Sequence, residues 1–146
     1  MEKKQYSAID IAKYVVSKCS KDAVPISNLQ LQKILFAIQR QYLKDYDCEL
    51  FVDSIEAWRF GPVIPTVYYH FCGFGGIPID VEYNKLEDIK AEDKVVIDTV
   101  VEEKRCLRPW DLVEETHKDG GAWAKIYNDG EGNKKEIPTD VIKELG

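Results

Sequence analysis

Several chemistries are made improbable by what the sequence lacks. It has two histidines, His70 and His117, and four scattered cysteines, Cys19, Cys48, Cys72 and Cys106. No C-x-x-C or H-E-x-x-H pair is present, and such pairs usually mark tetrahedral zinc sites. His70 and Cys72 lie two positions apart, which on a helix separates them by about 200°, too far for a nucleophile and its base. The plainer reading is a surface histidine and a core cysteine. This pair would nonetheless be the first to suspect if cysteines and histidines met in space around zinc. Gly73-Phe74-Gly75-Gly76 is not followed by Lys-Ser/Thr, so it reads as a helix stop and not as a phosphate cradle. The loop at 128–133 has acids and glycines without the closing glutamate of a calcium loop. There is no G-x-S-x-G and no paired-carboxylate pattern. Catalytic residues, metals and cofactors are therefore not expected.

Long apolar runs are also missing. No stretch of about 18 apolar residues could cross a bilayer, and the start, MEKKQYSAID, lacks the apolar region of an export signal. A cytoplasmic location with reduced thiols is expected. Basic excess is absent too: 20 Lys and Arg face 26 Asp and Glu, a net charge of −6. Direct binding to nucleic acid or to an anionic membrane is disfavoured, because both reward a basic face. Residues 82–103 hold eight acids and three lysines, most of that charge.

What is present is helical. The apolar fraction of 45% suits a folded domain, and no repeat or linker divides residues 1–146. Ala8, Ile11, Ala12, Val15, Val16 and Cys19 recur at helical spacing behind Ser7, a natural N-cap, predicting a helix over about 7–20. Ser27-Asn28-Leu29-Gln30 reads as a capping box. The helix it opens has one apolar stripe through Leu31, Ile34, Leu35, Ile38 and Tyr42, and another through Leu29, Phe36 and Leu43. Two apolar faces predict a central helix, with Gln30, Lys33, Arg40, Gln41 and Lys44 on its polar arc and a loop from Asp45. Leu50 to Phe60 suggests a short extended segment. Val96, Ile97, Val100 and Val101 mark a helix over about 91–104. Pro109 to His117 should be helical with Trp110 and Val113 inward. Ala122 to Tyr127 suggests one further turn, and Thr139 should cap a last helix ending near Leu145.

The most unusual stretch is EAWRFGPVIPTVYYHF, residues 56–71. Pro62 and Pro65 bias Gly61 and Ile64 away from helical angles, so the chain should be extended from Gly61 to Ile64. Pro65 suits a first helical turn, where its missing N–H loses no partner. GPVIP is then a rigid corner delivering a helix with Val67 and Phe71 inward. Trp58, Arg59, Tyr68, Tyr69 and His70 gather around it. Large aromatic rings and arginine dominate binding hot spots, so these five are the candidate partner-binding residues. The competing reading makes Trp58 and Tyr68 core residues.

Two motifs then combine. One is Leu29-x-Leu31-Gln32-Lys33-Ile34-Leu35-Phe36. The other is Glu56-Ala57-Trp58-x-x-Gly61-Pro62-Val63-x-Pro65-x-Val67-Tyr68. Together they resemble the Panacea domain family of SocA-like and GepA-like phage-associated proteins. Thr116-His117 followed by Trp123 is similar to the closing element of that family, and the Ile137 to Leu145 end fits its last helix. The resemblance implies a mainly α, compact single domain over 1–146, with at most a short β-hairpin. It implies the antitoxin half of a toxin–antitoxin pair, neutralising a variable protein partner by direct binding. Related roles are adaptors that hand a toxin to a protease and, on phage genomes, inhibitors of a host defence nuclease of the anti-CRISPR kind. The family brings no catalytic residues. Its motif positions here are Leu31, Gln32, Lys33, Trp58, Gly61, Pro62, Val63, Pro65, His117 and Trp123. A small cytosolic hydrolase using His70 or His117 is the enzyme alternative. An acidic, aromatic-bearing surface would suit a basic toxin or a nucleic-acid enzyme.

Overall fold

Ser7 and Asp53 open the first helix between them. The Ser7 hydroxyl accepts from the Asp10 N–H at 3.2 Å, and the Asp53 carboxylate accepts from the Ala8 N–H at 2.8 Å. Two of the helix's otherwise unpaired amides are thereby satisfied. A computed structural model of the chain, which describes residues 5–146, places this helix, α1, at Ala8–Lys21. The second helix, α2, spans Asn28–Tyr46 behind a complete Ser27/Gln30 capping box. It runs past Asp45 to a left-handed C-cap at Asp47, longer than the sequence suggests. Of its two apolar stripes, Leu31, Ile34, Leu35, Ile38 and Tyr42 are all buried, as are Phe36 and Leu43, while Leu29 is half-buried. α2 packs on α1, on α4 (Ala91–Lys104), on α5 (Pro109–Thr116) and on the short α3 (Pro65–Phe71) and α7 (Thr139–Leu145). The α6 helix, Ala122–Tyr127, lies between α5 and α7.

A small antiparallel sheet sits beside this bundle, in the order β2-β1-β3. Strands β1 (Glu56–Trp58) and β2 (Gly61–Val63) pair Glu56 with Val63 and Trp58 with Gly61, leaving Arg59 and Phe60 as a two-residue tip. A third strand, β3 (Lys135–Glu136), adds to the expected hairpin. It is too short to show periodicity and is recruited by the Lys134 N–H to the Ala57 carbonyl and the Ile137 N–H to the Ile55 carbonyl, both 2.7 Å. Val63 ends β2, extended Ile64 caps α3 and Pro65 starts it, so GPVIP is the extended-to-helix corner expected. Val67 and Phe71 are buried. Mainly helical architecture with one minor sheet is thus what the chain adopts. Among the described residues no helix is long and apolar enough to cross a membrane.

Four side chains depart from expectation. Lys33 does not lie on a solvent-facing arc; it is 2% exposed, because its stem packs inward and its amine donates to the Pro62 carbonyl at 3.0 Å. Trp110 is 60% exposed although Val113, one turn on, is buried. It occupies the first turn of α5, past the edge of the core, where its ring meets Phe60 edge-on at 5.6 Å. Cys72 is exposed and not a core residue, because α3 ends at Phe71 and the chain turns outward in a 3-10 turn. Thr139 is the first residue of α7 and not its cap; Pro138 holds that position without a side-chain hydrogen bond.

Candidate functional site

The β1–β2 hairpin is held from beneath by side chains distant in sequence. The Trp123 indole N–H donates to the Trp58 carbonyl at 2.6 Å. The His117 ring lies against the Phe60 backbone. Lys33 donates to the Pro62 carbonyl, and the Gln32 amide oxygen accepts from the Ile64 N–H at 2.9 Å. Backbone groups at 58, 62 and 64 therefore each have a dedicated side chain. Pro62 and Ile64, two apart in the extended segment, point their backbone groups the same way, so neighbouring side chains of α2 reach both. His117 stacks flat on Trp123, with ring centroids 3.8 Å apart and planes 2° from parallel, and Trp123 stacks in turn on Tyr127 at 4.6 Å. Gly61 completes the clamp. Its φ of +115° favours glycine, and a Cβ there would lie 2.8 Å from the Thr116 Oγ1 and 3.0 Å from the Lys33 Cε.

Burial sets the electrostatics of this layer. It pushes the Lys33 amine down to about 7 from its ordinary 10.5, because the cation is removed from water. Burial also lowers the His117 imidazole, and the neighbouring Lys33 charge lowers it further. The His117 Nε2 is buried without a hydrogen-bond partner.

Above the clamp lies a groove of about 290 Å³ lined by Leu29, Lys33, Trp58, Phe60, Tyr68 and Cys72, with Arg59 at its rim. The five candidate contact residues divide here. Trp58, Tyr68 and Tyr69 come together, with centroid separations of 5.1 Å for Trp58–Tyr68, 6.0 Å for Trp58–Tyr69 and 5.4 Å for Tyr68–Tyr69. Arg59 sits at the hairpin tip with its guanidinium 5.4 Å from the Phe60 ring. His70 is exposed on α3 and pairs with Phe71, not with the group. Phe60 and Trp110, which sequence reasoning did not select, extend the aromatic surface across the groove. Phe60 was legible in principle: a hairpin with Gly61 at a positive φ puts Arg59-Phe60 at the tip. Trp110 was not, since helical spacing alone aligns it with buried Val113.

His70 and Cys72 are both exposed, and among the described residues no three His, Cys, Asp or Glu side chains gather to hold a metal ion.

The family model described as antitoxin SocA-like, Panacea domain matches residues 31–124. Over 133 residues the chain is 31% identical to Antitoxin SocA of Caulobacter vibrioides (strain NA1000 / CB15N), an alignment covering 81% of this chain and 69% of that protein. The chain belongs to the SocA-like, Panacea domain family. No solved structure matches it. The matched span runs from Leu31 to Ala124 and so includes the whole clamp of this Panacea domain. Leu31, Pro62, Val63 and Gly61 are buried, and Pro65 occupies the first turn of α3. The motif residues of this member thus mostly build the scaffold under the hairpin, and the exposed residues carried by that scaffold are different ones.

Proposed function

We propose that this Panacea domain acts as an antitoxin by covering a partner protein with the aromatic face around the hairpin tip. The observation carrying this reading is the groove edged by Trp58, Phe60 and Tyr68, continued outward by exposed Tyr69 and Trp110. Exposed aromatic surface of this kind is the usual mark of a protein contact. The clamp supports it physically, because a hairpin fixed before binding loses little conformational entropy when the partner arrives. Occlusion needs no chemistry from the domain, in keeping with a role outside catalysis. The acids of residues 82–103 lie in α4 and the loop before it, and none lines the groove. The contact face is therefore aromatic without being acidic, which favours a toxin-like protein partner over DNA mimicry.

Co-expression with the product of the adjacent gene, followed by pull-down, tests the proposal. Phe60→Ala and Tyr69→Ala should each weaken the complex at least ten-fold while leaving thermal unfolding unchanged. A complex that survives both substitutions at full affinity would place the contact elsewhere.

A further inference from the structure

The groove differs in charge from the rest of the molecule. The chain has a net charge of −6, yet the acid–base side chains lining this groove are the basic Lys33 and Arg59, with no carboxylate among them. Outside the groove's lining, Lys134 places a further cation against one of its walls, its amine 5.1 Å from the centre of the Trp58 ring. The nearby acid, Glu56, already accepts from the Trp58 indole N–H at 3.0 Å. Lys33 is the unusual member. Its amine has three donors, and among the described residues its one hydrogen-bond acceptor is the Pro62 carbonyl. No ion pair with a carboxylate is formed there among the described residues. Burial disfavours the charged form of an amine held by one neutral carbonyl, and an incoming carboxylate would favour that form by supplying both counter-charge and acceptors.

We infer that the groove receives an acidic segment of the partner protein, seating a large apolar side chain between Trp58, Phe60 and Tyr68 with an adjacent carboxylate directed at Lys33 and Arg59. This inference rests on the proposed role of the aromatic face and specifies its ligand. The volume of about 290 Å³ accommodates one large side chain with its flanking carboxylate, and not a folded element. The aromatic walls provide contact area, and the cations select the sign of the flanking charge.

The test uses the full chain and two fluorescein-labelled, C-terminally amidated heptapeptides. One has Asp-Phe-Asp at its centre and the other Asn-Phe-Asn, with Gly and Ser elsewhere. Fluorescence polarisation should show the acidic peptide binding at least ten-fold more tightly. Lys33→Met should erase that preference, and the exposed changes Arg59→Gln and Lys134→Gln should each reduce it about three-fold without disturbing the fold. Equal affinity for the two peptides, or no binding of either, overturns the inference. So does a preference that persists unchanged in all three variants. The pull-down separates the two levels of failure. A partner complex lost on Phe60→Ala but untouched by Lys33→Met and Lys134→Gln keeps the aromatic face and rejects the acidic ligand. A complex indifferent to all of them rejects both.

Discussion

At the scale of single residues, Gly61 and Lys33 matter most to the clamp, for different reasons. Gly61 combines a positive φ with neighbours that leave no room for a methyl group. Gly61→Ala should therefore cost about 2–4 kcal/mol, from backbone strain and overpacking together, read as a lower urea midpoint. A loss below about 0.5 kcal/mol would mean that the Thr116 and Lys33 side chains yield freely. Lys33 couples stability to pH. Between about pH 7 and 9 the unfolded chain holds the lysine proton while the folded chain has largely released it. The unfolded state binds more protons, so raising the pH through this window stabilises the fold, by up to about 1.4 kcal/mol per pH unit. Above it, the buried Cys19 thiol and the Tyr6, Tyr14 and Tyr42 hydroxyls, all raised chiefly by burial, act with the opposite sign. Urea unfolding at pH 7, 8 and 9 should show rising stability in the parent chain and a nearly flat profile in Lys33→Met. A flat profile in both would mean that Lys33 titrates as an ordinary lysine.

At the scale of elements, the hairpin is too short to stand alone. Three-residue strands joined by a two-residue tip are marginal in water, and here the Pro62 and Trp58 carbonyls are held by side chains of α2 and α6. Trp123→Phe keeps most of the ring stacked on His117 but leaves the Trp58 carbonyl without its donor. A buried unsatisfied carbonyl costs about 1–3 kcal/mol. Hydrogen exchange of the hairpin amides should accelerate by at least that equivalent, while exchange in the middle of α1 should change less. Uniform acceleration everywhere would show that the clamp is part of one global unit. The helices were legible because their signals are local. Ser7 and the Ser27/Gln30 box mark starts, and Ala91–Lys104 follows the spacing of Val96, Ile97, Val100 and Val101. The corner at Pro62 and Pro65 was legible because proline restricts its own backbone and that of the residue before it. β3 was not, since two residues hold no period and are selected by the edge they join.

At the scale of the whole molecule, the core ties the far side of α2 to the chain's start and to α4. Asp93, in the first turn of α4, is buried and accepts from the hydroxyls of both Tyr6 and Tyr42, at 2.8 and 2.9 Å. Gln39 binds the backbone of Leu50 and Phe51 with its amide. These links lie on a different set of residues from the clamp, so damage to one should spare the other. Asp93→Ala removes the buried carboxylate that accepts from both hydroxyls and should destabilise the fold by about 2–4 kcal/mol. At a temperature where the variant is still folded, its affinity for the partner should stay within about two-fold of the parent. A large loss of affinity in a folded Asp93→Ala protein would show that the hairpin face depends on the whole core.

Local chemistry in the sequence determined the helices, the capping box, the proline corner and the two family motifs, because each is written in residues within a turn or two of one another. Tertiary structure decided which side chains face solvent. Lys33 and Trp110 exchanged their expected places because exposure depends on what packs opposite, and the partners of both, Pro62 and Phe60, lie dozens of residues away on the hairpin. The meeting of Lys33, His117 and Trp123 beneath one strand pair is likewise a product of chain topology, which no spacing within a single element encodes.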